Sequence, residues 1–310
     1  GEDAETLIKN ADAAMYHAKQ NGRDNYQFFK QDMNDRAVER QSLEASLRQA
    51  VAGQEFVLHY QPKIHLETGE ITGAEALIRW LHPKRGMLFP GQFVSIAEEC
   101  GLIVPIGRWV LREACRQVRI WLDAGLRPTP VAINISAIEF RSKDFLEGIR
   151  DILKETRLEP GYLEIELTES VLMQDGEYTT AVLQALKAMG VQLAIDDFGT
   201  GYSSLSYLKR FPIDTLKIDQ SFVRDITTDP DDATIVSAVI GMGNSLNKRV
   251  SAEGVETREQ LAFLRVKRCG EGQGYYFSRP VIAEEYTKLL RAGISEPSRS
   301  PNRWANDLRA

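Results

Sequence analysis

Near the C-terminal ends of a series of apolar, strand-like segments, this 310-residue sequence places polar or charged side chains. Residues two apart on a strand share a face. Glu75 and Arg79 therefore stand together, as do Asn134 and Ser136 after Ala132. Glu166 interrupts Ile165-Glu166-Leu167, and Asp196 and Asp197 close the run Val191 to Ile195. Lys217 sits in Leu216-Lys217-Ile218, Glu253 follows Val250-Ser251-Ala252, and Gln273 begins the last segment. A lone buried carboxylate costs on the order of several kcal/mol, so it must be paired or coordinate a metal. Glu75, Glu166, Asp196, Asp197 and Glu253 have only Lys217 and Arg79 to offset them, and divalent cations would balance the remainder. Oxygen ligands with one amide favour Mg2+ or Mn2+ over zinc. Adjacent aspartates at a strand end can bridge two such ions about 4 Å apart, an arrangement suited to in-line phosphodiester cleavage.

Each residue has a plainer reading when taken alone. A strand glutamate usually faces solvent or a basic partner, the Asp196-Asp197 pair could cap a helix, and Lys217 could be a structural ion-pair partner. Their recurrence at the same end of successive strands favours a site. The segment Asp197-Phe198-Gly199-Thr200-Gly201-Tyr202-Ser203-Ser204-Leu205 directly follows the paired aspartates. It could bind phosphate through backbone N–H groups or form a simple mobile turn, and its position favours a gating loop. Glu169, just past Glu166, could hold that loop, or simply place a charge at a helix start after Thr168.

Composition narrows the field. The chain is 43% hydrophobic and 26% charged, ordinary for a globular protein. A net charge of -6 argues against a DNA or RNA duplex as partner. Cys100, Cys115 and Cys269 are odd in number and far apart, which supports neither a disulfide framework nor a thiolate zinc site and fits a reducing cytoplasmic compartment. No apolar run nears the roughly 20 residues of a membrane helix. No membrane contact is expected within this segment, although a full-length protein could be anchored upstream. The start Gly1-Glu2-Asp3 runs at once into a helical pattern, as a piece cut from a longer chain would.

The elements that must position these groups read as follows. Helical patterns cover 4–20 and 33–52, with a short strand-like run at 26–29 between them. A hairpin follows, from Phe56 to Ile64 and back from Ile71 to Trp80 around Glu67-Thr68-Gly69. Helical patterns lie at 91–99 and 105–124. Strands then run Val131 to Ser136, Tyr162 to Leu167, Val191 to Asp196, Asp214 to Ile218, Arg249 to Glu253 and Gly272 to Phe277. The intervening and following helices are expected at 142–156, 174–189, 202–210, 231–247, 257–265 and 283–292. This alternation predicts an α/β fold, a (β/α)8 TIM-type barrel with an antiparallel first strand, ahead of an open doubly wound sheet. Residues 294–310 read as a mobile tail.

At these residues the sequence resembles the EAL-domain cyclic-di-GMP phosphodiesterases. The matching blocks are Tyr60-Gln61-Pro62-Lys63, Glu75-Ala76-Leu77-Ile78-Arg79-Trp80, Asn134-Ile135-Ser136, Glu166-Leu167-Thr168-Glu169-Ser170, Asp196 with the 197–205 loop, Leu216-Lys217-Ile218-Asp219, Ala252-Glu253-Gly254-Val255-Glu256-Thr257 and Gln273-Gly274-Tyr275. The resemblance runs from about Leu43 to Leu290. It implies hydrolysis of cyclic di-GMP to linear pGpG with two Mg2+ or Mn2+ ions. Carried over by position, Glu75, Asn134, Glu166 and Asp196 correspond to ligands of one metal, and Asp196 and Asp197, with Glu253, to ligands of the second. Lys217 corresponds to the lysine that contacts the attacking water. Gln61, Arg79 and Gln273 correspond to substrate contacts, and Glu169 to the loop anchor. The stretch Arg268-Cys269-Gly270-Glu271 lacks the aspartate often found after that cysteine in the family, and Gly243-Asn244 stands where the family often has a histidine; neither touches a proposed ligand.

Ala11-Asp12-Ala13-Ala14-Met15-Tyr16 with Ala18-Lys19 and Gly22-Arg23 resembles the end of a GGDEF (diguanylate cyclase) domain. The expected organisation is a GGDEF remnant over 1–32, a linker helix over 33–52, the phosphodiesterase barrel over 53–293 and the tail. Upstream GGDEF or sensor domains, and a homodimer, are the partners the resemblance implies. The alternatives are a receptor of the same fold that binds cyclic di-GMP without cleaving it, and an unrelated barrel enzyme acting on another phosphoester.

Overall fold

A computed structural model describes residues 31–201, 208 and 210–294, with 3, 4, 7, 8, 10, 11, 14, 15, 26, 28 and 29 among the first thirty. The expected helix at 4–20, helix at 202–210, distal half of the 197–205 loop and tail at 294–310 lie largely outside the described residues, and the strand expected at 26–29 is absent at the described residues 26, 28 and 29.

The strands are β1 (Phe56–His65), β2 (Ile71–His82), β3 (Gly86–Leu88), β4 (Val131–Asn134), β5 (Leu163–Thr168), β6 (Gln192–Phe198), β7 (Thr215–Ile218), β8 (Arg249–Ala252), β9 (Glu271–Gly272) and β10 (Val281–Ile282). The helices are α1 (Gln31–Gly53), α2 (Pro90–Glu99), α3 (Ile103–Asp123), α4 (Ala137–Phe140), α5 (Phe145–Thr156), α6 (Glu169–Leu172), α7 (Gly176–Met189), α8 (Gln220–Arg224), α9 (Pro230–Ser245), α10 (Arg258–Val266) and α11 (Ala283–Ala292).

The chain divides into two units, residues 1–56 with 80–103 and residues 57–79 with 104–310. In the first, α1 buries Leu43, Leu47 and Ala50, which share one helical face. Phe56, Trp80 and Phe93 cluster there, and Trp80 donates its Nε1–H to Glu55 at 2.8 Å.

The second unit carries the barrel. Strands β1, β9, β8, β7, β6, β5, β4 and β2 pair in that order, and a β1–β2 pairing closes the ring. From β2 through β4 to β9 the neighbours are parallel, whereas β1 runs antiparallel to β9. The parallel strands therefore present their C-terminal ends at one mouth. The outer face is apolar: Ile165, Leu167, Leu193, Ile195 and Leu216 are fully covered. The rings of Tyr60, Trp121 and Tyr286 meet edge-on or tilted with centroids 5.1 to 5.9 Å apart, binding α3 and α11 to β1.

Two expectations need correction. The last barrel strand is two residues long, Glu271–Gly272, not a run to Phe277. The chain turns instead: Phe277 N–H bonds the Gly274 carbonyl at 3.1 Å, and a Cβ on Gly274 would stand 2.1 Å from the Val255 oxygen. Second, short helices α4, α6 and α8 follow directly behind site-bearing strands, at positions where the sequence pattern predicts no helix apart from the helix start weighed at Glu169. The Ser136 hydroxyl caps α4 and Asp219 caps α8.

Candidate functional site at the barrel mouth

Asp196 and Asp197 are adjacent, and successive strand residues normally point to opposite faces. The strand solves this with a bulge. Pairing shifts between Ile195 and Phe198, three steps on β6 against two on β7, and Asp197 adopts φ 52°. Both carboxylates can then reach the mouth. The Asp197 N–H donates to Asp196 Oδ1 at 3.0 Å. Burial and then the charges of Asp196 and Asp219 push the Asp197 carboxyl up to about 6.

Lys217 stands at the centre. It is fully buried, with Nζ 2.6 Å from Glu166 Oε2, 2.6 Å from Glu253 Oε1, 3.1 Å from Asp196 Oδ1 and 3.8 Å from Glu75 Oε2. Burial alone would lower its pKa, but Glu166, Glu253, Glu75 and Asp196 hold it well above the ordinary lysine value. The carboxylates respond unequally. Burial drives Glu253 well above the usual range, with Lys217 opposing and Asp196, Glu75 and Glu166 adding to the rise. Burial raises Glu75 as well.

Two amides bond Glu75, and a third, that of Gln61, bonds one of them. Asn134 donates Nδ2–H to Oε1 at 2.6 Å, leaving its Oδ1 outside that bond. Gln273 donates Nε2–H to Glu75 Oε2 at 2.5 Å and to Gln61 Oε1 at 3.0 Å, and Gln61 donates to the Ser278 carbonyl at 3.1 Å. Of the two glutamines expected against substrate, Gln273 is tied to Glu75 directly and Gln61 only through Gln273. Arg79 lies nearby, its Nη1–H on the Ile78 carbonyl at 2.9 Å, and burial pulls its pKa below the ordinary value. Glu169 begins α6 and accepts the Gly199 N–H at 3.2 Å, so it holds the near end of the 197–201 segment.

One pair of charged residues was missed by sequence reasoning. Lys63 on β1 is buried, with Nζ 2.6 Å from both Glu164 Oε1 and Glu166 Oε1. Glu164 also accepts from Thr215 Oγ1 at 3.3 Å and Arg249 Nη2 at 3.0 Å. The signal was spacing: Lys63 is two residues from Gln61, and Glu164 two from Glu166. Burial would raise Glu166, but Lys217 and Lys63 outweigh it and hold its carboxyl at about 2.

One oxygen each from Asp196, Asp197 and Glu253 lies within 4.8 Å of the others. Oxygens on one octahedral Mg2+ stand about 3 to 4 Å apart, so small side-chain shifts would bring this set onto a divalent cation. The second expected set, Glu75, Asn134, Glu166 and Asp196, is gathered around Lys217 and Glu75 by the bonds above. The raised Asp197 and Glu253 mark where negative charge is in surplus.

Eight paired strands closed into a ring, with helices behind them, make this an α/β barrel of the TIM type. Residues 44–280 match the EAL domain family, and the chain belongs to it. It is 49% identical over 285 residues to the bifunctional diguanylate cyclase/cyclic di-GMP phosphodiesterase MucR of Pseudomonas aeruginosa, covering 92% of this chain and 42% of that protein. It is 43% identical over 291 residues to the cyclic di-GMP phosphodiesterase PdeR of Escherichia coli, covering 94% of this chain and 44% of that protein. The chain thus spans less than half the length of these relatives. The solved PaMucR phosphodiesterase in complex with c-di-GMP superposes with a TM-score of 0.77 at 48% identity, covering 79% of this chain and 99% of that one.

Proposed function

We propose that this domain hydrolyses cyclic di-GMP to linear pGpG with two divalent cations, Mg2+ or Mn2+. The observation that carries the reading is the convergence of Asp196, Asp197 and Glu253 oxygens within 4.8 Å beside the Lys217 ammonium, in a chain whose named relatives are cyclic di-GMP phosphodiesterases. Glu75, Asn134, Glu166 and Asp196 would hold one cation; Asp196, Asp197 and Glu253 would hold the other. Cations bound there supply a water of lowered pKa as nucleophile and offset charge on the phosphoryl oxygens.

The chain's own residues do the rest. Lys217, fixed by carboxylates on several sides, orients the attacking water and offsets charge that develops at phosphorus. Arg79 binds a phosphate of the substrate. Gln273 and Gln61 act at the same end of the barrel, contacting substrate while steadying Glu75. Glu169 anchors the segment after the paired aspartates. No covalent enzyme intermediate is required.

The same reading extends to organisation. Residues 1–32 are taken as a GGDEF remnant, 33–52 as a linker, 53–293 as the barrel and 294–310 as a tail, with upstream domains and a homodimer as partners. The bifunctional description of MucR, matched over 92% of this chain, supports the first of these. The domain is taken as cytoplasmic; no helix among the described residues is long and apolar enough to cross a membrane.

Incubating the domain with cyclic di-GMP and Mn2+, and following pGpG by liquid chromatography, tests the reading. Metal-dependent pGpG is expected. Tight binding with no product would instead identify a receptor.

A further inference from the structure

We propose that Lys63 sets the metal selectivity of the site by committing one oxygen of Glu166 to the barrel interior, so that Glu166 offers a cation a single oxygen. The inference rests on the two-cation reading above. Lys63 is 3% exposed, with Nζ 2.6 Å from Glu166 Oε1. The other oxygen, Oε2, faces Lys217 at 2.6 Å, and that ammonium also meets Asp196 and Glu253 on the mouth side. Lys63 is held in place from below. It bonds Glu164 Oε1 at 2.6 Å, and Glu164 Oε2 takes Arg249 at 3.0 Å and Thr215 at 3.3 Å. Gly73 lies against its stem, where a Cβ would stand 3.2 Å from Lys63 Cδ. Each Glu166 oxygen thus meets a buried ammonium at 2.6 Å, but only Oε2 shares its lysine with the mouth carboxylates Asp196 and Glu253, so a cation arriving among those carboxylates would meet Oε2 while Lys63 and Glu164 keep Oε1 turned to the interior.

Selectivity follows from coordination. Ca2+ takes about six to eight oxygens and readily accepts both oxygens of a carboxylate, whereas Mg2+ demands a near-ideal octahedron of about six single donors. Holding Glu166 to one oxygen withholds from Ca2+ a ligand that Mg2+ does not need. The charge of Lys63 acts alike on every divalent ion at the site. It cancels in the ratio of Ca2+ to Mg2+ affinity, and the number of oxygens offered does not.

The test is calorimetric titration of Mg2+ and Ca2+, separately, into the protein and into Lys63→Met. The variant is expected to raise the ratio of Ca2+ to Mg2+ affinity on the order of tenfold. Should Lys63→Met fail to fold, Lys63→Met/Glu164→Gln removes one charge of each sign and is read the same way. A ratio within twofold of the unaltered protein overturns the inference and leaves the cation site standing. An unaltered protein that binds neither ion overturns the inference together with the reading beneath it.

Discussion

Two layers of the barrel interior are built from the same residue types and differ in balance. In the inner layer Lys63 lies between Glu164 and Glu166, and Arg249 also meets Glu164, so opposite charges are matched. At the mouth, the single ammonium of Lys217 meets four carboxylates, those of Glu75, Glu166, Asp196 and Glu253. Glu166 touches both lysines and is held at about 2. Glu253, on the same Lys217 ammonium but without a second lysine, is driven far the other way. A buried network of matched signs is a scaffold, whereas one with surplus acid costs stability until a cation arrives. The functional signal is the imbalance, not the presence of buried charge.

The largest expected effect comes from cutting the surplus. Glu75→Ala should lower metal-dependent turnover roughly a thousandfold, the scale of several kcal/mol of metal stabilisation. Its circular dichroism should stay unchanged. pGpG production at the original rate would remove Glu75 from the metal site.

Lys217→Ala comes next. kcat should fall about a hundredfold or more, as when one preorganised charge-stabilising donor is lost. Cyclic di-GMP affinity should stay within a few-fold. The metal-free variant should also melt lower, since its carboxylates lose their shared cation, and should recover with Mn2+. A near-normal kcat would strip Lys217 of its role. Glu169→Ala should cost on the order of tenfold in kcat, the worth of one charge-assisted bond to a backbone N–H, with Mn2+ affinity unchanged. Weakened Mn2+ binding there would place Glu169 among the metal ligands instead.

The smallest effect is on stability against pH. The Asp197 carboxyl is raised from 3.8 to about 6 in the folded state. Its contribution is therefore present below 3.8 and lost as pH rises through about 6. His59, lowered by burial and Arg79, acts in the opposite sense, so the comparison must be internal. With metal chelated, Asp197→Asn should gain stability relative to the original protein between pH 5 and 7, by denaturant titration. A constant difference across that range would show that Asp197 is not strained by its neighbours.

Much of this was legible in the sequence because each strand carries its own signal. Lys217, Glu166 and Glu253 stand out as charges in apolar runs, and their recurrence at strand ends marks a mouth. The inner layer was harder to see. Lys63 lies in a strand of the hairpin, but its partners Glu164 and Glu166 lie on β5 and its own strand joins the ring by pairing with β9, long-range relations that no local pattern reports. The bulge at Asp196–Asp197 was hidden as well, since it is a shift between strands rather than a composition. The truncated β9 was misread because Gln273 to Phe277 keeps strand-like residues, while the close approach of Gly274 to Val255 turns the chain away.

The central claim is that the acid surplus at the mouth is a two-cation site. Counting Mn2+ per chain by calorimetry, in the presence of cyclic di-GMP and a chelator-stripped starting protein, tests it most directly. Two ions per chain are expected, and Asp196→Asn, which alters a ligand shared by both, should lose both. Retention of no Mn2+ by a folded protein with every mouth carboxylate intact would contradict it.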